Sequence, residues 1–505
     1  MPRKIPRILW LVLPLAYFLY LYQLDASGLL GPDEPRYAAV GRAMAHTGDW
    51  VTPRLWGQPW FEKPALLYWM TASGFRLGLG PELAPRLPVA LMALGFLGFY
   101  WWILRREFGC MAAWFATLIL ATCGGWVAFS QVGVTDLPLA ATFSAAMLLS
   151  LPWIAKGDTR WLPVASALLG LAVLAKGLVP LVLALPLVMR GRIRDLIRWR
   201  VVLPFCVVAL PWYALCYLRN GRTFLDVFFG QHTFGRFLSP GLQHGQPWWF
   251  YLPVLLTGLL PWTPLVFLVA LRGTLRDPRR LFLGAWLLFG MVFFSVAVNK
   301  LPGYLLPLLP ALTALIGIGL EEVENPAPWL AVSAVSLATF PMVARALPTA
   351  VAAGLSRASL PTFSWTWLLP VAAASAAWVM SHRGWRLAAV AMLAACSTAG
   401  FVYLKRSVMP EVSQAASARS LWSEIEARAG EVCVDDIHRN WRYGLNYYSV
   451  TPLPDCEQQP RPLAVRQTEG QPPHVAPTAL VDRTQPGRTL LERSLPGDII
   501  SPFRN

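Results

Sequence analysis

Long apolar runs separated by short polar segments make up the chain from its start to about residue 404. A helix needs roughly 20 apolar residues to cross a bilayer, and thirteen runs approach or reach that length. They lie at about 8–24, 86–104, 110–129, 137–155, 161–175, 177–190, 201–218, 248–271, 281–298, 302–320, 328–347, 363–380 and 385–404. The first run resembles a signal peptide, but no small-residue cleavage site follows it, so we expect an uncleaved first helix. The pattern predicts a polytopic α-helical membrane protein.

The apolar stretch over 161–190 allows two interpretations. It could form one long span, or two short ones broken at Lys176, Gly177 and Pro180. Basic residues favour the cytoplasmic side of a membrane, and a break at Lys176 places every flanking basic cluster on that side. Without the break, the five arginines between 190 and 200 and the later clusters fall on the side opposite the earlier ones. We therefore predict two short helices.

The span count determines the topology. Thirteen spans place the N-terminus in the cytoplasm and the C-terminus outside it. The transmembrane domain, residues 1–404, then has two long outer loops, 25–85 and 219–247, and residues 405–505 form an outer domain. Long connections in compact domains are usually functional, so we expect functional residues on these loops.

The tail is more polar than the rest of the chain. Residues 411–430 have helical spacing, and five short segments between Pro and Gly turns are typical of strands: EVCVDD, NYYSV, LAVRQ, TALVD and TLLERS. We predict a small soluble α/β domain that lacks a Gly-rich phosphate motif. Its two cysteines, Cys433 and Cys456, could form a disulfide if the tail is exported.

Composition supports a membrane protein. Only 14% of the 505 residues are charged and 56% are hydrophobic, whereas a soluble chain has about 25% charged residues. The net charge of +16 would indicate nucleic-acid binding in a soluble protein. Here the basic residues flank the spans, so we expect membrane lipids, and no nucleic acid, as their partners.

The first outer loop carries the densest candidate chemistry. Asp33 and Glu34 are adjacent and follow the first span and a Gly-Pro turn, with Arg36 and Tyr37 directly after them. Tyr37 begins an amphipathic stretch, which predicts a helix lying in the membrane interface. Asp33 could simply cap that helix, or it could take part in acid–base chemistry.

Two further acidic positions are expected on the same outer side. Glu62 and Lys63 form a charge pair inside the aromatic run that begins at Trp60, and could equally be a plain surface pair. Asp136 opens the fourth span, where it could be a helix cap before Pro138. Two carboxylates at the mouth of one cavity, Asp33 and Asp136, could orient an acceptor or move a proton.

Basic groups on the outer side could bind an anion. Lys63, Arg236, Lys300 and the hydroxyl of Tyr304 could converge on one phosphate, although Arg236 and Lys300 could instead snorkel to the membrane surface. Glu62 and His232 could share a metal ion, but a lone histidine is more often a hydrogen-bonding residue. The motifs of zinc peptidases, P-loop enzymes and serine hydrolases are absent from the sequence.

Five segments in order, GPDEPRYA, GDWVTPRLWGQPWFEKP, QVGVTD, LAVLAKG and NKLPGYLLPLLP, resemble the C-type membrane glycosyltransferases. The resemblance covers about 8–320 and is strongest to the bacterial lipid A aminoarabinose transferase branch, which is related to protein mannosyltransferases. It implies thirteen helices, interfacial helices in the first outer loop and a periplasmic α/β domain in the bacterial inner membrane. It also implies a polyprenyl-phosphate donor, undecaprenyl phosphate–4-amino-4-deoxy-L-arabinose in that branch, and the phosphate of lipid A as acceptor.

The resemblance also implies roles for individual residues. It makes Asp33, with its neighbour Glu34, and Asp136 the candidate catalytic carboxylates. It assigns the donor phosphate to Arg36, Lys63, Arg236 and Tyr304, and the cavity wall to Tyr37 and Trp60. Lys300 is a further candidate for the donor phosphate from its place on the outer side. It places Glu62 and His232 near a metal site, zinc in character, that the chemistry does not require.

Other classes remain open. A related transferase acting on protein or another glycan would have the same sequence features. A lipid or sugar transporter would tend to have two related halves and charges at mid-membrane, and a membrane scaffold would not need these outer charges. The sequence favours the transferase, since a lipid-phosphate donor already carries a good leaving group and needs no nucleotide domain.

Overall fold

The computed structural model describes residues 9–228, 230, 246–270, 276–353, 365–468 and 471–478. Within these ranges, seven helices are long and apolar enough to cross a membrane: Leu83–Phe108, Asp136–Lys156, Trp199–Phe228, Pro278–Val296, Pro302–Glu322, Ala327–Val351 and Arg386–Ser407. Two bent pairs raise the count to nine: Cys110–Thr122 with Gly124–Ser130, and Tyr251–Leu259 with Thr263–Val269. Shorter apolar helices are Val12–Leu21, Leu162–Lys176, Val179–Met189 and Leu369–His382. The protein is thus a helical membrane protein, and each predicted span overlaps one of these helices.

The predicted break at Lys176 is confirmed. Leu162–Lys176 ends at Gly177, whose φ of 74° is readily adopted only by glycine. Trp161, just before this helix, lies beneath Arg106 at 5.6 Å, whereas Lys176 at its other end contacts Asp136. The chain then returns along Val179–Met189, so 162–189 is a helical hairpin and not a single span.

Many of the basic clusters meet at one end of the helices, which we call the basic face (residues 105–107, 153–161, 192–198, 276–280, 321–324 and 386). Arg280 pairs with Glu322 and Arg279 with Glu107. Trp153 donates to Asp195 at 3.1 Å, and Arg386 donates to the carbonyl of Val323 at 2.9 Å. Clusters that are far apart in sequence therefore share one side, as the positive-inside pattern predicted.

The first outer loop folds as a helix, Asp33–Thr47 (the loop helix), a ribbon of Arg54–Leu55 and Gln58–Pro59, and a second helix, Leu66–Arg76. The sequence predicted an interfacial helix, but the apolar edge of the loop helix packs inside the protein. Tyr37, Val40 and Met44 are at most 2% exposed, and Tyr37 meets Tyr68 of the second helix at 6.0 Å between ring centroids.

The tail contains helices Met409–Ala416, Ala418–Ile425 and Arg439–Tyr448 (the tail helix) and a three-stranded sheet. Val432–Val434 pairs in parallel with Leu463–Arg466, which pairs antiparallel with His474–Pro477. The strands predicted at EVCVDD and LAVRQ are present, and a disulfide joins Cys433 to Cys456. The strand predicted at NYYSV is wrong: most of it ends the tail helix, whose apolar residues Trp441 and Leu445 repeat at helical spacing. Nearly all of TALVD, and all of TLLERS, lie outside the described residues.

The tail is docked on the membrane helices and the first loop. The backbone N–H of Gly28 donates to Ser413 at 3.0 Å, and that of Leu29 to the Tyr448 hydroxyl at 2.9 Å. Tyr447 donates its hydroxyl to the carbonyl of Pro81 at 2.7 Å and accepts at its own carbonyl from Arg42 at 2.6 Å. These contacts hold the tail helix against the end of the bundle that lies opposite the basic face.

Candidate active site

A cavity of about 560 Å³ lies at this end of the bundle. Four parts of the chain form its wall: the loop helix with the Glu62–Lys63 turn, the membrane helix ends at Asp136 and Lys176, the 294–304 segment, and the tail helix. The polar and aromatic residues that line it are Asp33, Arg36, Tyr37, Glu62, Lys63, Thr135, Asp136, Lys176, Phe294, Asn299, Tyr304, His438, Arg439, Asn440 and Tyr443. The structure thus brings together residues that the sequence placed on separate loops.

Four charged side chains from the first outer loop form a continuous chain of ion pairs. Arg36 contacts Asp33 at 2.5 Å and Glu62 at 3.0 Å, and Glu62 contacts Lys63 at 3.2 Å. Glu62 thereby holds two cations side by side, and its side chain is only 2% exposed. Asp33 differs, because its side chain is 46% exposed and faces the cavity. Asp33 is therefore the accessible carboxylate of the four groups.

Arg36 lies at the centre of this series of ion pairs, since it contacts both Asp33 and Glu62. Burial alone would lower the pKa of its guanidinium, but Glu62, Tyr37 and Asp33 raise it, and the net pKa is above the ordinary value. The rings of Tyr37, Trp60 and Tyr443 surround it at 5.3–5.6 Å. Trp60 packs on Arg36 and is absent from the cavity wall, whereas Tyr37 lines it. Arg36 therefore stays charged and fixed in place.

A second cluster of charged side chains lines the same cavity. Lys176 donates to Asp136 at 2.7 Å, and its ammonium lies 4.7 Å from the Tyr304 ring centroid. The side chains of Lys176 and Asp136 are only 13% and 16% exposed. Gly303 makes this packing possible, because a Cβ there would lie 2.5 Å from Asp136 Oδ1. The glycine of the NKLPGY segment thus lets that segment approach the carboxylate.

We expect Lys176→Gln to lower the sugar transfer that the sequence resemblance implies by about 10- to 100-fold, because it removes a charged hydrogen bond to Asp136 inside a poorly solvated cavity. Initial rates in membranes, normalised to the amount of protein, measure this. Lys156→Gln is the matched control, since Lys156 ends the helix that Asp136 begins but lies at the basic face. Equal rates for Lys176→Gln and the wild type would remove Lys176 from the site.

Glu34 does not line the cavity, although the sequence grouped it with the catalytic carboxylates. Its side chain is 1% exposed and pairs with Arg86 through two hydrogen bonds of 2.7 and 2.9 Å. It also accepts the backbone N–H groups of Leu30 and Gly133, each at 2.9 Å. Arg86 in turn donates to the carbonyls of Leu24, Ser27 and Gly28. Glu34 thus joins the loop to the bundle, and this geometry favours a structural role.

Lys300 also lies away from the cavity wall. It is 6% exposed, and its ammonium donates to the carbonyls of Gln246 at 3.0 Å and Ala297 at 2.6 Å. Its neighbour Asn299 lines the cavity instead. The alternation of side chains in the extended Asn299–Leu301 segment explains the difference, since adjacent residues point to opposite sides.

Arg236 and His232 lie outside the described residues, so their predicted roles stay predictions. Within the described ranges no group of three His, Cys, Asp or Glu side chains is arranged for a metal ion. Glu62 itself contacts two cations, Arg36 and Lys63. Glu62 is thus engaged with two cations in the described part of the site, and the metal site that the resemblance implies stays a prediction.

Sequence reasoning missed two sets of residues at the cavity. Lys176 served only to locate the helix break, although a lysine within an apolar stretch is itself a sign of function. The tail-helix residues His438, Arg439, Asn440 and Tyr443 were assigned no role. No local signal identifies them, because their place depends on how the tail docks.

Known proteins share this architecture. Residues 62–217 match the family of dolichyl-phosphate-mannose-protein mannosyltransferases. The undecaprenyl phosphate-α-4-amino-4-deoxy-L-arabinose arabinosyl transferase of Pseudomonas aeruginosa (strain UCBPP-PA14) is 34% identical over 343 residues. That match covers 62% of this chain and spans 60% of the length of the relative. An enzyme of the same name from Serratia proteamaculans is 30% identical over 337 residues, which are 62% of this chain and 59% of the relative.

Solved structures extend the similarity to nearly the whole chain. The crystal structure of ArnT from Cupriavidus metallidurans bound to undecaprenyl phosphate superposes with a TM-score of 0.73 and 27% identity, over 92% of this chain and 86% of that one. The oligosaccharyltransferase AglB from Archaeoglobus fulgidus shares the fold, with a TM-score of 0.52 and 12% identity over 88% of this chain and 64% of that one. The structural similarity to ArnT thus extends beyond the part of the chain that matches its relatives in sequence.

Proposed function

We propose that this chain, which resembles in sequence and in fold the aminoarabinose transferase branch of the C-type membrane glycosyltransferases, is itself such a transferase. It moves 4-amino-4-deoxy-L-arabinose from undecaprenyl phosphate to a phosphate of lipid A. The observation that carries this proposal is the cavity, whose wall combines Asp33 and Asp136 with Arg36, Lys63 and Lys176. The similarity to a structure with bound undecaprenyl phosphate supports the donor.

The proposed orientation places thirteen spans in the bacterial inner membrane, with the basic face in the cytoplasm. The cavity and the tail then lie in the periplasm. Two features support this orientation: the basic residues collect at the end opposite the cavity, and the tail contains a disulfide, which is typical of exported domains.

The donor phosphate fits the cationic part of the cavity. Lys63 and Arg36 lie side by side on Glu62, and Lys176 and Tyr304 line the same cavity. As an acceptor oxygen bonds to the anomeric carbon, the bond from that carbon to the donor phosphate breaks and its electron pair leaves with undecaprenyl phosphate. Fixed positive charge at that leaving phosphate stabilises the transition state. A single in-line displacement of this kind inverts the anomeric carbon.

Asp33 lies beside the cations proposed to hold the leaving phosphate. It is the exposed carboxylate of the first cluster and is held by Arg36. A lipid A phosphate is already ionised, so it needs little base catalysis. Asp33 then acts by orienting the sugar, whose amino group it can hold, and by countering positive charge that develops on the sugar ring.

Purified protein in liposomes, supplied with undecaprenyl phosphate–aminoarabinose and lipid A, tests the proposal. We expect lipid A to gain the mass of one aminopentose and undecaprenyl phosphate to be released in equal amount. Consumption of the donor only when a protein or another glycan is supplied would keep the reaction class and change the acceptor. A donor that stays intact with every acceptor would contradict the proposal.

We expect metal removal to leave transfer unchanged, because Lys63 and Arg36 already supply the positive charge at the leaving phosphate. Treatment with EDTA, followed by assay with and without added zinc, measures this. Loss of transfer in EDTA with recovery in zinc would give Glu62 and His232 the metal-binding role that the sequence predicted.

A further inference from the structure

The first turn of the tail helix forms part of the cavity wall. His438, Arg439, Asn440 and Tyr443 line it together with the membrane residues. Arg439 and Tyr443 are four residues apart and so lie on one face of the helix. The tail therefore contributes side chains to the site and does not merely cover it.

The tail helix is held firmly in this position. The ring of Tyr443 stacks on Trp56 of the first loop, with centroids 5.6 Å apart and planes 16° apart, and lies 5.3 Å from the Arg36 guanidinium. One turn further on, Tyr447 is bonded to Pro81 and Arg42. Because Tyr443 packs against Arg36 and Trp56, the helix turn that carries Arg439 is held at the cavity wall.

The charges around the cavity show why Arg439 matters. Among the described lining residues, Asp33, Glu62 and Asp136 are balanced by Arg36, Lys63 and Lys176, and each of these three cations contacts a carboxylate. Arg439 is the remaining charged group in this part of the chain, and no ion pair is formed by its side chain within the described ranges. The proposed reaction brings two anions together, the donor phosphate and the acceptor phosphate. Arg439 gives the wall the additional positive charge that a second anion requires.

The donor phosphate and the acceptor phosphate are expected to bind in different parts of the cavity. We expect the donor phosphate, anchored by a polyprenyl chain in the bilayer, to meet Lys176 and Tyr304 at the membrane helix ends together with Lys63 and Arg36. A bulky phosphorylated lipid extends its headgroup out of the bilayer, towards the tail. Arg439 is exposed to solvent at that side, and its planar guanidinium suits bidentate contact with phosphate.

We propose that Arg439, assisted by the Asn440 side chain, binds the phosphate of the acceptor and so selects a phosphorylated acceptor. This inference rests on the proposed function and assigns the acceptor side of that same site. His438 contributes through its ring Nδ1, which accepts the backbone N–H of Asn440 at 3.3 Å and caps the turn that carries Arg439.

Binding measured separately for the two lipids tests this inference. Wild-type protein, Arg439→Ala and Arg439→Lys are titrated with diphosphoryl lipid A and, independently, with undecaprenyl phosphate. We expect Arg439→Ala to weaken lipid A binding at least about tenfold, as the loss of a charged hydrogen bond implies, and to leave undecaprenyl phosphate binding unchanged. Arg439→Lys should recover part of the loss, since it keeps the charge but not the bidentate geometry.

Arg428→Ala is the matched control, because Arg428 is an exposed tail arginine paired with Glu431 and is absent from the cavity wall. It should bind both lipids as the wild type does, and the thermal unfolding of all variants should coincide. Unchanged lipid A binding by Arg439→Ala, or equal weakening for both lipids, would overturn the inference and leave the proposed function standing. Failure of the wild type itself to bind lipid A would overturn both the acceptor and the inference.

Discussion

Asp33→Asn is expected to lower transfer by at least about 100-fold while the protein still inserts and folds. The change is nearly isosteric, and it removes the negative charge that faces the cavity. The N-terminus of the loop helix also loses a favourable negative charge, which lowers the free energy of unfolding by at most about 1 kcal/mol at an exposed position. Initial rates in proteoliposomes, with the protein amount and thermal unfolding measured in parallel, separate the effect on chemistry from an effect on folding.

Asp158→Asn is the matched control for this substitution. Asp158 also pairs with a nearby arginine, Arg160, but at the basic face. Asp158→Asn should transfer the sugar at the wild-type rate. A wild-type rate for Asp33→Asn would remove Asp33 from the mechanism, and unfolding of that variant would make Asp33 a structural residue.

Arg86→Met is expected to lower the free energy of unfolding by about 3–5 kcal/mol, because it leaves the buried Glu34 carboxylate without its charge partner. Three carbonyls of the first outer loop lose their hydrogen-bond donor at the same time. Glu34→Gln should be destabilising in the same way, since it leaves Arg86 buried and unbalanced. Chemical unfolding in detergent, followed by tryptophan fluorescence, measures both variants.

Two further variants test whether this loss of stability comes from a buried charge left without its partner. Glu431→Gln removes one partner of the exposed pair with Arg428 and should cost about 0–1 kcal/mol. The double variant Glu34→Gln with Arg86→Met should recover part of the loss, because neither charge is then left buried alone. If Glu34→Gln keeps wild-type stability yet loses transfer, Glu34 has the catalytic role that the sequence predicted.

The sequence predicted the membrane helices and the 162–189 hairpin because both follow from local rules. Apolar length and basic flanks are properties of neighbouring residues. The topology and the family resemblance also placed Asp33, Arg36, Lys63, Asp136 and Tyr304 on one outer side, and all five line one cavity.

What the sequence did not show is the packing between distant segments. Asp33 and Glu34 are adjacent, and no local signal shows that Glu34 pairs with Arg86 while Asp33 lines the cavity. The apolar edge of the loop helix suits a membrane interface as well as it suits the protein interior. The NYYSV segment has strand-forming residues, but the amphipathic period of the whole tail helix prevails.

Lipid A from cells tests the central claim most directly. A strain that lacks this protein is complemented with the wild type, with Asp33→Asn or with Asp158→Asn, and its lipid A is analysed by mass spectrometry. We expect a mass increase of one aminopentose with the wild type and with Asp158→Asn, and none with Asp33→Asn or without the protein. Unmodified lipid A in cells that contain stable wild-type protein and the donor lipid would contradict the assignment of lipid A as acceptor.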